Sequence, residues 1–550
     1  MSDSAAAIVK DGKLLAACEE ERIVRKKHYG EFPFGAIKYC LNAAEISIGD
    51  IDHVAYFINP RYQFFHRMFE IVQFLPESLS LYSEYGGKWF KMNQIKKHIK
   101  KRFDIKRKLP FEFHFVEHHL AHAASSFLLS PFDDAAILTM DESGEYTSTQ
   151  FAVGHKNIIR KLGFVGHPHS VGSLYKAVTR YLGFYSVGDE AKVMGLSSYG
   201  HAYTDIFKLV KVLKKNKFKL NLPYFSLYAK DLSNKFIHEY GPPRVPETIL
   251  TQKHKNIAAG LQVLTEMIAL EFCEYLHSKT KSKNICIAGG VGLNCVMNGR
   301  ILRESRFENI YVQPAANDAG GAIGSAFYVY NCILGKGRTF EMEHTYYGPE
   351  RTEEEIEKYF RKKNVPFEKH ENIEEITAKL LSQSKIIGWF QGKMEFGPRA
   401  LGNRSILADP RKAEMKDRLN KRVKHREPFR PFAPSVLYED KDLFFEEATS
   451  SPFMLIVFKV KKDKQKIIPA VTHVDGTARV QTVEKNINPK YWKLINEFKK
   501  ISGIGVILNT SFNVRGEPVV CGIEDALNCF YKTEIDYLVA GKYLVSKNSV

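Results

Sequence analysis

The sequence predicts an α/β protein in two parts, and three observations carry that expectation. Short apolar runs rich in Val, Ile and Ala alternate with patterns of helical period over residues 1–340, as strands alternating with crossover helices do. Several of those runs end in an aspartate or a glycine cluster just before a helix, the ligand edge of an open α/β sheet. A polar stretch at 335–350, opening Gly335-Lys336-Gly337-Arg338, reads as a linker to a second part, 341–550, where Arg, Lys, Pro, Gly and Asn recur in dense motifs.

In chain order, the apolar runs 4–9 and 14–18 flank Asp11-Gly12, the turn of a β-hairpin. Residues 19–27 are strongly charged and read either as a solvated loop or as an anion clamp, with Lys26 and Lys27 near the sheet's ligand end. A helix over 35–44 and a strand over 54–58 follow, then an aromatic, basic insertion over 60–108. The strand 111–116 leads into a helix opening at His118. There the pattern restarts. Residues 135–140, 148–153 and 158–165 read as three strands, whereas the first half begins directly with the equivalent of the second of them. This implies an internal duplication whose first half lacks its first, central strand, with the given Met1 downstream of the true start. The remainder reads as a helix over 171–182, a compact turn over 188–196, a variable insertion to about 253, a long helix over 256–276, strands at 284–288 and 309–314, and a small-residue helix over 319–330.

A chain of 550 residues with 44% hydrophobic content can bury at least two substantial cores. Its eight cysteines form no CxxC, which argues against a structural zinc site or disulfide framework and for a reducing compartment, the cytoplasm by default. Apolar runs are broken by charge or glycine short of a membrane span, so no membrane partner is expected. The formal charge of +18 suits nucleic acid, a membrane surface or anionic small substrates alike. The Lys-dense segments 96–102 and 211–219 read as solvated faces.

His118 and His122, four apart at a helix start, project from one face and can ligate one ion, and Asp141 and Asp318 at strand ends can converge on it. A mixed N/O set suits iron or another transition metal. Lys192 reads as a phosphate contact. The strand-glycine-helix passage Gly289-Gly290-Val291-Gly292-Leu293-Asn294 allows close backbone approach to a phosphate or adenosine, without being a Walker loop or a GxGxxG fingerprint. In the second part, Arg399 and Arg404, then Lys424-His425-Arg426, Arg430, Arg479 and the run 508–513 point to a preorganised pocket for a highly charged ligand such as a triphosphate or acyl phosphate.

Taken together and in order, residues 3–28, 118–127, 192–195, 288–300, 317–321, 395–405, 424–434 and 508–518 resemble the O-carbamoyltransferases of nodulation-factor and antibiotic biosynthesis, the NodU/TobZ type, over nearly the whole chain. The resemblance implies a duplicated actin-like ATPase (RNase H-like) domain over 1–340, carrying carbamoyl transfer and the metal site, and a YrdC-like α/β domain over 341–550 that forms carbamoyl-adenylate. The YrdC-like signature, KxR plus SxN, is matched by Lys424, Arg426, Ser511 and Asn513. Implied ligands are ATP with Mg, carbamoyl phosphate, iron or another divalent metal on His118, His122, Asp141 and Asp318, and a hydroxyl-bearing small-molecule or sugar acceptor. Implied catalytic residues are Lys27, Lys424, Arg426 and Ser511; implied nucleotide or carbamoyl-phosphate contacts are Lys192, Gly289, Gly290, Asn294, Arg399, Arg404, Arg430, Arg479 and Asn513. Lys27 matches the family's transfer-site lysine. One departure is Ser2, where the family carries a histidine that is a candidate general base. The alternatives are a tRNA-binding or tRNA-modification component, motivated by charge, and an actin-like sugar kinase; nucleic acid is otherwise not an expected partner.

Overall fold

The computed structural model describes residues 3–62, 64–73, 75, 94–226 and 231–547. Ser2 and parts of the two insertions lie outside them. The chain divides into two compact α/β units, one of Met1–Ala17 and Gly30–Glu341, the other of Cys18–Tyr29 and Met342–Val550.

In the first unit, β1 (Ala5–Lys10) and β2 (Lys13–Glu19) form the expected hairpin. Asp11 at φ 50° and Gly12 at φ 77° give the turn two consecutive left-handed residues, which Asp-Gly tolerates. β3 (His53–Tyr56) and β4 (Glu112–Phe115) form a separate parallel pair. The second half carries β5 (Asp134–Met140), β6 (Thr147–His155), β7 (Ile158–Gly166), β8 (Asn284–Ala288) and β9 (Asn309–Val312) in one sheet, ordered β9-β8-β5-β6-β7. The edge hairpin β6-β7 is antiparallel, and β5, β8 and β9 run parallel. β5 is apolar and buried on both faces, as a central strand must be. The two halves thus share a hairpin and a parallel pair. Among the described residues the first half has no counterpart of β5 joining them.

The helix Gln252–Thr280 packs on β5, and its apolar length is mostly buried within the unit. Residues 188–196 differ from the sequence expectation: Glu190–Ser197 is a helix rather than a turn. Val193 and Leu196, one turn apart, are both buried and fix its inner face, which outweighs the unfavourable Gly195.

The second unit is built on an eight-stranded mixed sheet of β10 (Glu368–Lys369), β11 (Ile387–Phe390), β12 (Arg404–Ala408), β13 (Ala433–Leu437), β14 (Gln481–Val483), β15 (Val506–Ser511), β16 (Tyr537–Ala540) and β17 (Tyr543–Ser546). Its order is β10-β17-β16-β11-β12-β15-β13-β14. Trp389, Tyr491 and Phe390 fill its core.

The charged segment belongs to the second unit: its first part is the short, largely buried helix Glu20–Val24 rather than a solvated loop, and Lys26 and Lys27 lie exposed in the turn that follows. Glu19 accepts from the Gly397 amide (2.8 Å) while Arg22 donates to the Gly397 carbonyl (2.9 Å). Arg25 donates to the carbonyls of Val519 (2.6 Å) and Pro518 (3.0 Å) and pairs with Asp525. Arg22 and Glu19 are both buried, so removing one partner strands the other's charge, at about 3–5 kcal/mol.

Candidate functional site

In the first unit, Glu117 caps the helix His118–Phe127 by accepting from the Leu120 amide (2.9 Å), which sets His118 and His122 on one buried face. Asp141 follows directly after β5, and Asp318 lies between β9 and the helix Gly320–Phe327. One ligand atom from each of these four residues lies within 4.8 Å of every other. The His122 Nε2 is 3.1 Å from both the His118 Nε2 and the Asp141 Oδ2, His118 Nε2 is 3.4 Å from that same oxygen, and Asp318 Oδ1 stands 3.7 Å from His118 Nε2. Such spacings are those of ligands about 2.1 Å from a shared centre. One imidazole proton cannot satisfy every one of these converging lone pairs, so the donor set fits a bound cation.

Electrostatics point the same way. Burial and the charge of Asp141 push the Asp318 carboxyl up to about 7, and burial with Glu117 pushes Glu145 up to about 7. For His118, burial opposes protonation, yet the hydrogen bond to Asp141 and the charges of Asp318 and Glu145 prevail and carry it up to about 9. Burial and the neighbouring His118 keep His122 below the usual imidazole range. Carboxylates thus exceed what the imidazoles neutralise, and a divalent ion removes the imbalance. Around them, Gly289 has φ 88°, and a Cβ there would sit 2.1 Å from the Met140 carbonyl oxygen; one on Gly290 would sit 3.0 Å from Asp141 Oδ1. These two glycines let the loop after β8 close over Asp141.

In the second unit, Lys424 ends a π-helical turn, Asn420–Lys424, and is buried. Its Nζ donates to the Ser511 carbonyl (2.7 Å), Ser511 Oγ (3.2 Å), the Asn513 carbonyl (2.9 Å) and Asn513 Oδ1 (2.7 Å). Ser511 Oγ in turn donates to Asn513 Oδ1 (2.7 Å). Arg426 is held by Asn420 Oδ1 (2.7 Å) and the Phe432 ring. Burial, then the charges of Arg426, Lys27 and Arg430, hold Lys424 well below the ordinary lysine range. Burial, Arg430 and Arg479 press likewise on Arg426, whose guanidinium nevertheless stays charged. A pocket that disfavours its own cations favours an incoming polyanion.

The family sequence pattern described as Carbamoyltransferase N-terminus matches residues 1–327, and that described as Carbamoyltransferase C-terminus matches 378–547. The chain belongs to the carbamoyltransferase family. An uncharacterised protein of Synechocystis sp. is 41% identical over 587 residues, spanning 100% of this chain and 95% of that protein. Nodulation protein NolNO of Sinorhizobium fredii is 38% identical, spanning 100% and 79%. The 3'-hydroxymethylcephem-O-carbamoyltransferase of Amycolatopsis lactamdurans is 30% identical, spanning 78% and 80%. This carbamoyltransferase is accordingly an enzyme of group transfer.

Other predicted residues fall elsewhere. Lys27 groups with the second unit, where its charge bears on Lys424. Arg399 lies half-buried in the loop before β12, and Arg430 and Arg479 border Arg426. Arg404 is fully buried and donates to the carbonyls of Gln391, Gly392, Asn403 and Pro349, so it ties its own strand to the segments at Gln391-Gly392 and Pro349 rather than facing a ligand. Asn294 caps the helix Cys295–Glu304 and bonds Gln262, which occupies its amide inside the fold. Lys192 pairs with Asp189 at 2.9 Å and lies over the Phe184 ring.

Sequence reasoning missed Glu145, whose carboxylate accepts from the amides of His118 (3.1 Å) and Asn59 (2.7 Å). It also missed Asp3, which accepts from Asn317 (2.8 Å) and whose charge raises Asp318. The signal for Glu145 was its place in the same strand-end loop as Asp141.

Proposed function

We propose that the chain is an ATP-dependent O-carbamoyltransferase that forms carbamoyl-adenylate from carbamoyl phosphate and ATP and passes the carbamoyl group to a hydroxyl of a small-molecule or sugar acceptor. The observation that carries this reading is the buried Lys424 held on Ser511 and Asn513 beneath Arg426, Arg430 and Arg479. These are the residues of the KxR and SxN pair, and their convergence supports a YrdC-like second domain. The strand order β7-β6-β5-β8-β9, which is 3-2-1-4-5 in the half's own numbering, supports an actin-like, RNase H-like first domain.

In this reading water first cleaves carbamoyl phosphate to carbamate and inorganic phosphate, and a carbamate oxygen then bonds to the α-phosphorus of ATP as pyrophosphate leaves; Lys424 and the arginines offset charge on the phosphates in both steps, with Mg accompanying the nucleotide and Lys27 lining the same pocket. The acceptor oxygen then bonds to the carbamoyl carbon, AMP departs, and the hydroxyl proton is lost to a base. His118, His122, Asp141 and Asp318 would hold iron or another divalent metal, which would supply a Lewis acid for a carbonyl or phosphate oxygen. Eight free cysteines suit a reducing cytoplasm. The RNA reading rests on net charge alone, and a sugar kinase leaves the Lys424 pocket without a role.

Pyrophosphate release from ATP tests the proposal. Release that depends on carbamoyl phosphate and disappears in Lys424→Ala is expected; absence of carbamoyl-phosphate dependence in folded wild type would reject it.

A further inference from the structure

The parallel pair β3-β4 carries a cluster that the transfer and adenylation readings do not use. Side chains alternate between the faces of a strand, so Glu112 and His114 share one face while Phe113 and Phe115 take the other, where Lys96 lies over both rings. The register pairs His53 with Glu112 and Ala55 with His114, which brings His53 onto the same face as the first two. His53 Nδ1 is 3.1 Å from His114 Nε2. The Glu112 carboxylate spans the pair, with Oε2 3.7 Å from His53 Nδ1 and Oε1 3.8 Å from His114 Nε2. Two ring nitrogens and a carboxylate therefore converge, all within 4.8 Å of one another.

We propose that His53, Glu112 and His114 form a second metal site, distinct from the His118 cluster, that takes a borderline divalent transition ion such as Zn2+, Ni2+ or Cu2+. Donor separations of 3.1–3.8 Å are those of three ligands about 2.1 Å from one centre. Two imidazoles with one carboxylate favour these ions over Mg2+ or Ca2+, which prefer all-oxygen sets. Glu112, 66% exposed, leaves an entry path and room for water as the remaining ligands, while His114, 10% exposed, anchors the site.

The position gives the ion a structural use. β3 runs on to Asn59, whose amide donates to Glu145, and to Phe57, whose ring packs on His118. β4 runs on to Glu117 and His118. An ion at the start of both strands clamps the pair whose far ends support the transfer-site cluster.

Zn(II) titration of chelator-stripped full-length protein, read as bound ions per chain and as the rise in Tm, tests this. Wild type should take up two ions; His53→Gln and His114→Gln should each take up one, the remaining ion being the one lost in Asp141→Asn. In Asp141→Asn, which loses the ion of the His118 cluster, Cu(II) electron paramagnetic resonance should still show nitrogen couplings, and adding His53→Gln and His114→Gln to that variant should remove them. Glu112→Gln, at the most exposed position, should fold normally and bind the second ion about tenfold more weakly, with pyrophosphate release at the wild-type rate. A single ion in wild type, or equal stoichiometry in wild type and His53→Gln, would overturn the site and reduce the contact to a hydrogen bond between two imidazoles. Loss of pyrophosphate release in wild type would instead reject the functional reading and leave this site standing.

Discussion

The two clusters are electrostatic opposites built by the same means. In the first unit, burial forces carboxylates upward, Asp318 and Glu145 both to about 7, because acidic groups crowd one another away from water. In the second, burial forces Lys424 and Arg426 downward because basic groups crowd one another. Each imbalance suits a ligand of opposite charge, a cation in one unit and a polyanion in the other. Paired surface charges such as Arg361 with Glu357 carry no such information, since each is already neutralised.

That contrast breaks most sharply at Lys424. Lys424→Ala should lower carbamoyl-phosphate-dependent pyrophosphate release by about 10³-fold, measured at saturating ATP, and leave metal content unchanged. His122→Ala should do the reverse, weakening Co(II) binding by about 100-fold or more, read by its visible absorption, with pyrophosphate release retained. Gly289→Ala should cost about 2–4 kcal/mol in chemical denaturation, because its Cβ meets the Met140 carbonyl and its φ of 88° disfavours a side chain. That displacement should loosen Asp141 and weaken metal binding, while pyrophosphate binding stays as in wild type.

The smallest effect is a pH trend. Lys424 sits below its ordinary 10.5, so between its folded pKa and 10.5 the unfolded chain binds more proton, and the ligand-free protein should gain stability as pH rises through that window. Bound pyrophosphate should flatten the trend, and Lys424→Met should remove it; Tm against pH with and without pyrophosphate reads both.

Much of this was legible in the residues, for identifiable reasons. Strands such as 284–288 and the helix at His118 follow period and capping, which are local. The four converging side chains were legible because an i, i+4 histidine pair and two strand-end aspartates leave few alternatives. What failed was non-local. Arg404 looks like its neighbours in sequence, and only the fold shows that backbone carbonyls surround it. The Glu20–Val24 helix follows β2 directly, and no periodicity announces that the chain has crossed to another core. That the described residues of the first half hold no counterpart of β5 was legible because the second half supplies the template for comparison.

The most direct test of the contrast is calorimetric titration of pyrophosphate and of Co(II) into wild type, Lys424→Ala and Asp141→Asn. A double dissociation is predicted: Lys424→Ala loses pyrophosphate binding and keeps every Co(II) ion, while Asp141→Asn loses one Co(II) per chain and keeps pyrophosphate at wild-type affinity. A single substitution that abolishes both, or unchanged pyrophosphate binding in Lys424→Ala, would contradict the account.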